Sequence, residues 1–297
     1  MDVSVILCTR NRAAILPAAL DSVVAASQAE HDIRLEIIVV DNGSSDNTQE
    51  SFAGWKSCVG VNAKVLYEPR PGVSCAKNTG IKSSRGEVLV FVDDDCRLSI
   101  GYFSDLVRHY SGDTGPVVRG GRVELGDPSD LPFTIKTENK VSRLGGLIHP
   151  SGFVHGANLT MASRVIELIG SFDERFGPGA PFLAAEDTDL VYRAHKAGIP
   201  VEYVPDMTVF HYHGRRDLNE IKRLKFAYEY GNGALLAKNL VSGKVLDRHF
   251  YWNLRNSVFE LFGGKKFDVA LQLSHRTIVA GNLAGAWRYL SYALFKR

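Results

Sequence analysis

Gly86-Glu87-Val88-Leu89-Val90-Phe91-Val92-Asp93-Asp94-Asp95 is the stretch that decides how this 297-residue chain is read. Five successive large apolar residues, 88–92, are the pattern of a strand covered on both faces. Three carboxylates follow at once. Adjacent carboxylates at the end of a buried strand repel one another and lose hydration, so they require a positive partner. A hard divalent cation with oxygen ligands, Mg²⁺ or Mn²⁺ against a phosphate, answers that requirement. Strand alternation predicts that Asp93 and Asp95 point one way and Asp94 the other.

Upstream, further β-rich runs occupy Val3–Leu7, Leu35–Val40 and Lys64–Glu68. Helix-like stretches separate them near Ile15–Ala25, Asp46–Phe52 and Ser74–Ser84. This alternation predicts an α/β fold, a doubly wound, mostly parallel sheet flanked by helices. Such sheets bind ligands at the carboxyl ends of their strands. Those ends carry Cys8-Thr9-Arg10-Asn11-Arg12, Asp41-Asn42-Gly43-Ser44-Ser45-Asp46, Glu68-Pro69-Arg70-Pro71-Gly72 and the three aspartates, so one rim is a site. Downstream, strands are expected at Val117–Leu125, around Val154–Met161, and as two short pieces at Val201–Val204 and Thr208–His211. Helices are expected from Ser163 and over Glu186–Ala197, the latter closed by Gly198. Residues 217–297 read as mostly helical. The pattern divides the chain into two halves of one domain (1–112 and 113–214) and a basic helical region (215–297).

A 45% hydrophobic, 23% charged composition is that of a globular chain with a real core. No run reaches the roughly 18 apolar residues of a membrane span. Met1-Asp2-Val3-Ser4 leads straight into a strand pattern with no signal-peptide character, and the four cysteines are scattered, which predicts a cytoplasmic protein. Charge is uneven: residues 215–297 hold fifteen Lys and Arg against six Asp and Glu, a net +9, and residues 1–214 a net −7. A basic tail on an acidic body points to an anionic partner such as the inner face of a membrane, or to an ordinary solvated helical face.

Three further features could carry chemistry. Asp41 could accept hydrogen bonds from a ribose or base, while Ser45 and Asp46 also fit a helix cap. Glu186-Asp187-Thr188-Asp189 opens a helix behind the flexible Gly177-Pro178-Gly179-Ala180-Pro181; acids there favour the helix dipole, and one could act as a general base. His211 and His213 end a strand, where one neutral imidazole suits Mn²⁺.

Taken in order, the chain resembles the inverting family-2 glycosyltransferases of GT-A fold over residues 2–214. The pieces are Val5–Arg12, Val39–Asp46, Ala76-Lys77-Asn78-Thr79-Gly80-Ile81, Gly86–Asp95, Gly156-Ala157-Asn158, Gly170-Ser171-Phe172-Asp173-Glu174, Glu186–Arg193 and Val209-Phe210-His211. Asp-x-Asp alone is weak; the ordered set is specific. The resemblance implies that 1–112 is a nucleotide-sugar-binding half and 113–214 an acceptor-binding and catalytic half, and that Thr9, Arg10, Asn11 and Arg12 with Asp41 hold base and ribose. It places Lys77, Asn78 and Asp94 at the nucleotide end, Asp93 on ribose or metal, and Asp95 on the metal. Asp187 matches the general base, and His211, preferred to His213, a third metal ligand. Gly156, Ala157, Asn158 and Glu186 would meet acceptor or donor sugar. The implied partners are a nucleotide-diphosphate sugar (UDP favoured, dTDP or GDP allowed), Mn²⁺ or Mg²⁺, and a glycan or lipid-linked acceptor, with no nucleic acid. A Gln-x-x-Arg-Trp motif is missing, since Ala286-Trp287-Arg288 lacks the Gln, which argues against a processive synthase. A non-catalytic nucleotide-sugar-binding protein would keep Asp41 and Asp93 but have no need of Asp187.

Overall fold

The computed structural model describes residues 1–146, 148–240 and 244–295. The first half runs β1 (Asp2–Thr9), α1 (Leu16–Gln28), β2 (Arg34–Asp41), α2 (Thr48–Cys58), β3 (Ala63–Tyr67), α3 (Val73–Ser83), β4 (Val88–Val92), β5 (Cys96–Leu98) and α4 (Tyr102–Tyr110). Then come β6 (Val118–Leu125), β7 (Ser142–Arg143), β8 (Asn158–Ala162), α5 (Arg164–Ile169), α6 (Glu186–Lys196) and β9 (Val201–His211). Three helices follow, α7 (Leu218–Lys238), α8 (Lys244–Leu261) and α9 (His275–Phe295), giving the helical C-terminal region.

Among the described residues the strands form one nine-stranded sheet, β3-β2-β1-β4-β8-β6-β9-β5, with β7 added beside β9. The block β3-β2-β1-β4 is wholly parallel. β8 runs antiparallel between β4 and β6, so the sheet becomes mixed beyond the fourth strand. Successive side chains of the parallel block alternate between two cores, as the period-two pleat requires. Val5, Leu7, Ile37, Val39, Val88, Val90 and Val92 pack with Leu16, Leu20, Phe52 and Phe103. Ile6, Ile38, Val40, Leu89 and Phe91 pack on the other face with Phe172, Leu190 and Val191. That two-sided burial is why these strands read as unbroken aliphatic runs.

The two short strands expected near 201–211 are one strand, β9, interrupted by a bulge. Gly121 pairs with Val204 and Arg122 with Thr208, so Pro205-Asp206-Met207 loops out of register. Proline, which has no N–H to donate, favours such an interruption. Gly121 lets the bulge sit close, because a Cβ there would fall 1.8 Å from the Met207 carbonyl oxygen.

Candidate active site

β4 delivers the aspartates, but its alternation stops at Val92. The chain then turns, closed by the Cys96 amide donating to the Asp93 carbonyl at 3.1 Å. Asp93, Asp94 and Asp95 therefore all line one cleft of roughly 580 Å³, and Asp94 is not turned away as strand parity predicted. Asp94 faces Arg12, 3.8 Å from its Nε, and reaches a smaller adjoining cleft lined by Thr9, Arg10, Arg12 and Asn42. Burial lifts the Asp94 carboxyl to about 7 against the pull of Thr9 and Arg12.

β9 brings His211 to the same place, its Nε2 3.2 Å from Oδ1 of Asp95. Burial opposes charge on both groups, yet their contact keeps the Asp95 carboxyl low and the His211 imidazole high. Burial raises Asp93 despite nearby Lys77. Ligand atoms of Asp95, Cys96 and His211 lie within 4.8 Å of one another. The Cys96 thiol is held protonated by burial and three neighbouring carboxylates, so the usable donors are carboxylate and imidazole. Carboxylate oxygens and one imidazole nitrogen fit Mn²⁺ or Mg²⁺, Mn²⁺ the better. His213 packs edge-on against His211, centroids 5.0 Å apart, but does not line the cleft: its Nδ1 accepts from the Arg215 amide at 3.0 Å and lies 3.6 Å from Asp130.

The opposite wall is the start of α6. Leu183 and Ala185, both non-glycine, hold left-handed backbone at φ 59° and 69°, beside Gly177 and Gly179 at φ 102° and 83°. Non-glycine residues held there indicate a segment fixed by its surroundings. One fixture is Gly231 of α7, where a Cβ would fall 2.6 Å from the Ala184 carbonyl. Asp187 lines the cleft, its Oδ2 accepting from the Gly156 amide at 2.9 Å and its Oδ1 from the Thr188 amide at 2.6 Å. Glu186 and Lys77 form a 2.9 Å ion pair in the same wall, and Gly156 and Ala157 complete it.

Several expected ligand residues are engaged inside the protein. Asp41 is fully buried, its Oδ1 accepting from the Ser44 amide at 2.9 Å and its Oδ2 from Gln49 Nε2 at 2.5 Å. It shapes the loop after β2 and lines neither cleft. Asn11 bonds the same loop, accepting from the Ser45 amide at 2.7 Å. Asn78 clamps Phe172, donating to its carbonyl at 2.9 Å and accepting from its amide at 3.0 Å. Asn158 fastens the β9 bulge, donating to the Arg122 and Met207 carbonyls at 2.9 and 2.8 Å. A buried amide in the strand layer finds fixed carbonyls before it finds a ligand.

The cleft also takes in residues that carry no motif. Arg215, just beyond β9, lines it near His211. From α7 come Leu224, Lys225, Tyr228, Glu229 and Asn232. Tyr228 stacks on Phe133, centroids 5.9 Å apart and planes 12° from parallel. The one available signal was the Arg215-Arg216 pair following His-x-His-Gly at a strand end.

Residues 4–146 match the model of Glycosyl transferase family 2. Glycosyltransferase AglE of Haloferax volcanii is 30% identical over 235 residues, covering 78% of this chain and 73% of that protein. Pre-mycofactocin glycosyltransferase of Mycobacterium tuberculosis is 28% identical over 251 residues, covering 78% of this chain but 47% of its own length, so the chain spans less than half of that relative. Among solved structures, the mannosyltransferase PcManGT from Pyrobaculum calidifontis, in complex with GDP-Man and Mn²⁺, aligns with TM-score 0.65 at 18% identity, covering 99% of this chain and 87% of that one. GalNAc-T7 with UDP, GalNAc and Mn²⁺ aligns with TM-score 0.56 at 17% identity, covering 81% and 51%. The mostly parallel sheet flanked by helices is the GT-A fold of these structures. The chain belongs to glycosyltransferase family 2.

Proposed function

We propose that the protein transfers a sugar from a nucleotide-diphosphate donor to an acceptor hydroxyl with inversion at the anomeric carbon. The observation that carries this is the single cleft lined by both the Asp93-Asp94-Asp95 turn and Asp187. Thr9, Arg10 and Arg12 line the adjoining smaller cleft and would hold the nucleotide. Asp95, Asp93 and His211 would hold Mn²⁺ or Mg²⁺. A cation there supplies Lewis-acid neutralisation of the negative charge that grows on the departing diphosphate. Arg215 adds fixed positive charge on the same side. Asp187, oriented by the Gly156 and Thr188 amides, accepts the acceptor hydroxyl's proton as that oxygen bonds to the anomeric carbon and the carbon–phosphate oxygen bond breaks. One base and one displacement give inversion. The wall contributed by α7, with Tyr228 against Phe133, is where a glycan or lipid-linked acceptor would lie. The donor would be a UDP-, GDP- or dTDP-sugar, fold relatives being seen both with GDP-Man and with UDP.

The test begins with thermal shifts against UDP, GDP and dTDP and their sugars, with and without Mn²⁺, since a ligand bound only by the native state raises its stability. NMR of the transfer product then reads its anomeric configuration. Retained configuration overturns the single-displacement reading. Binding of a nucleotide sugar with no transfer to any glycan or polyprenol-linked acceptor supports the non-catalytic alternative.

A further inference from the structure

Helix α9 carries large apolar side chains on a face that nothing covers as well as on the face it buries. Gly281 and Gly285 press against α7, where a Cβ at Gly285 would fall 1.8 Å from the Tyr230 carbonyl. The other side presents Leu283, Trp287, Leu290 and Leu294 at helical spacing, with Trp287 74% and Leu294 72% exposed. Helix α8, packed beside α9, does the same: Leu246, Asn253 and Ser257 are buried, while Tyr251, Leu254, Val258 and Phe259 face outward. Phe262, 86% exposed, continues this face beyond α8. Large apolar side chains left exposed on two helices packed against each other mark an interaction surface.

The charges in the patch indicate what covers it. Arg255 lies over the rings of Trp252 and Phe259, 4.8 and 5.1 Å from their centroids. Lys265 and Lys266 follow Phe262, and Arg288 follows Trp287. Exposed tryptophan and phenylalanine interleaved with arginine and lysine form the pattern of a helix lying in the headgroup region of an anionic bilayer. No helix among the described residues is long and apolar enough to cross a membrane.

We propose that the outer face of α8 and α9 docks flat on an anionic lipid surface. Helix α7 then stands between bilayer and cleft, packed on α9 on one side and lining the cleft with Lys225, Tyr228 and Asn232 on the other. Packed helices are about 8–10 Å apart, so the α7 wall of the cleft lies one helix spacing behind the docked helix α9. The docking itself does not depend on the proposed transfer reaction, because it is measured without donor or acceptor.

The experiment is flotation of the full chain with vesicles of phosphatidylcholine alone and of phosphatidylcholine mixed with phosphatidylglycerol. The expected result is flotation with the anionic vesicles, weakened by salt and by removal of phosphatidylglycerol. Trp287→Glu with Phe262→Ser should lower vesicle partitioning at least tenfold while leaving the urea unfolding midpoint and nucleoside-diphosphate binding unchanged. Either of two results overturns the proposal: no flotation on any vesicle, or sedimentation equilibrium showing a dimer that Trp287→Glu dissociates while vesicles fail to bind. The second would assign the face to another copy of this chain.

Discussion

The ammonium of Lys77 lies 2.9 Å from Oε1 of Glu186, and both residues are buried in the cleft wall next to Asp187. The carboxylate and its neighbours Asp93 and Asp187 hold Lys77 above the usual lysine range despite its burial. The pair couples α3 to the start of α6, and so fixes the nucleotide side of the cleft to the proposed base. Removing one partner of a buried pair strands the other charge. Lys77→Met should therefore destabilise the fold by about 3 kcal/mol in urea unfolding, and adding Glu186→Gln should recover much of the loss. A cost from Lys77→Met within surface noise would mean that water reaches the pair.

Asp187→Asn keeps one acceptor oxygen, which can serve the Gly156 amide across the wall, and gives up the local contact with the Thr188 amide. Transfer should fall at least 100-fold, the lower range for loss of a general base, with nucleoside-diphosphate affinity within twofold of wild type. Retention of more than a few per cent of the transfer rate would remove Asp187 from that role.

Asp95→Ala should abolish the Mn²⁺-dependent part of nucleoside-diphosphate binding in calorimetry. Chelation of the wild-type protein should have the same effect. Unchanged Mn²⁺ titration curves in the variant would place the cation elsewhere.

His149 and His249 stack with centroids 4.1 Å apart, tying the loop before Gly156 to α8. Burial, with His249 and Lys225 nearby, holds His149 down at about 3. Its Nδ1 accepts from the Ser151 amide at 3.1 Å, which also requires the unprotonated nitrogen. Below pH 6.5 the unfolded chain takes the proton first, so stability from this site is present above 6.5 and falls as the pH drops towards 3. The melting temperature should decline between pH 6.5 and 4.5. His149→Gln, which keeps an acceptor, should lessen that slope, with buried His155, held down at about 4, supplying part of the rest.

Gly121→Ala should cost about 3 kcal/mol, because the added carbon meets the Met207 carbonyl of the β9 bulge. Gly145→Ala, with nothing within 4 Å, is the neutral control. Equal unfolding midpoints for the two variants would mean the bulge can move away.

The parallel block was legible because burial on both faces leaves a mark in each strand: Val88–Val92 can be read without its neighbours. The polar rim followed from where those runs stop. Side-chain employment was not legible in the same way. Asp41, Asn78 and Asn158 sit in recognisable motifs, but their partners Gln49, Phe172 and Met207 become neighbours only through helix packing and a bulge. Asp94 was misdirected by assuming that the strand continued past Val92. Residues of α7 left no local signal, since Tyr228 and Asn232 gain meaning only once α7 lies across the cleft.

The contact between Gly231 and the Ala184 carbonyl has a practical consequence for exchanging parts between related chains. A graft that replaces everything from Leu218 onward would bring a new wall on the proposed acceptor side and keep Arg215 beside His211. It would work only if the incoming helix carries glycine at the position of Gly231. Any larger residue there would lift the helix off the segment that aims Asp187, and the chimaera would bind its donor without turning over.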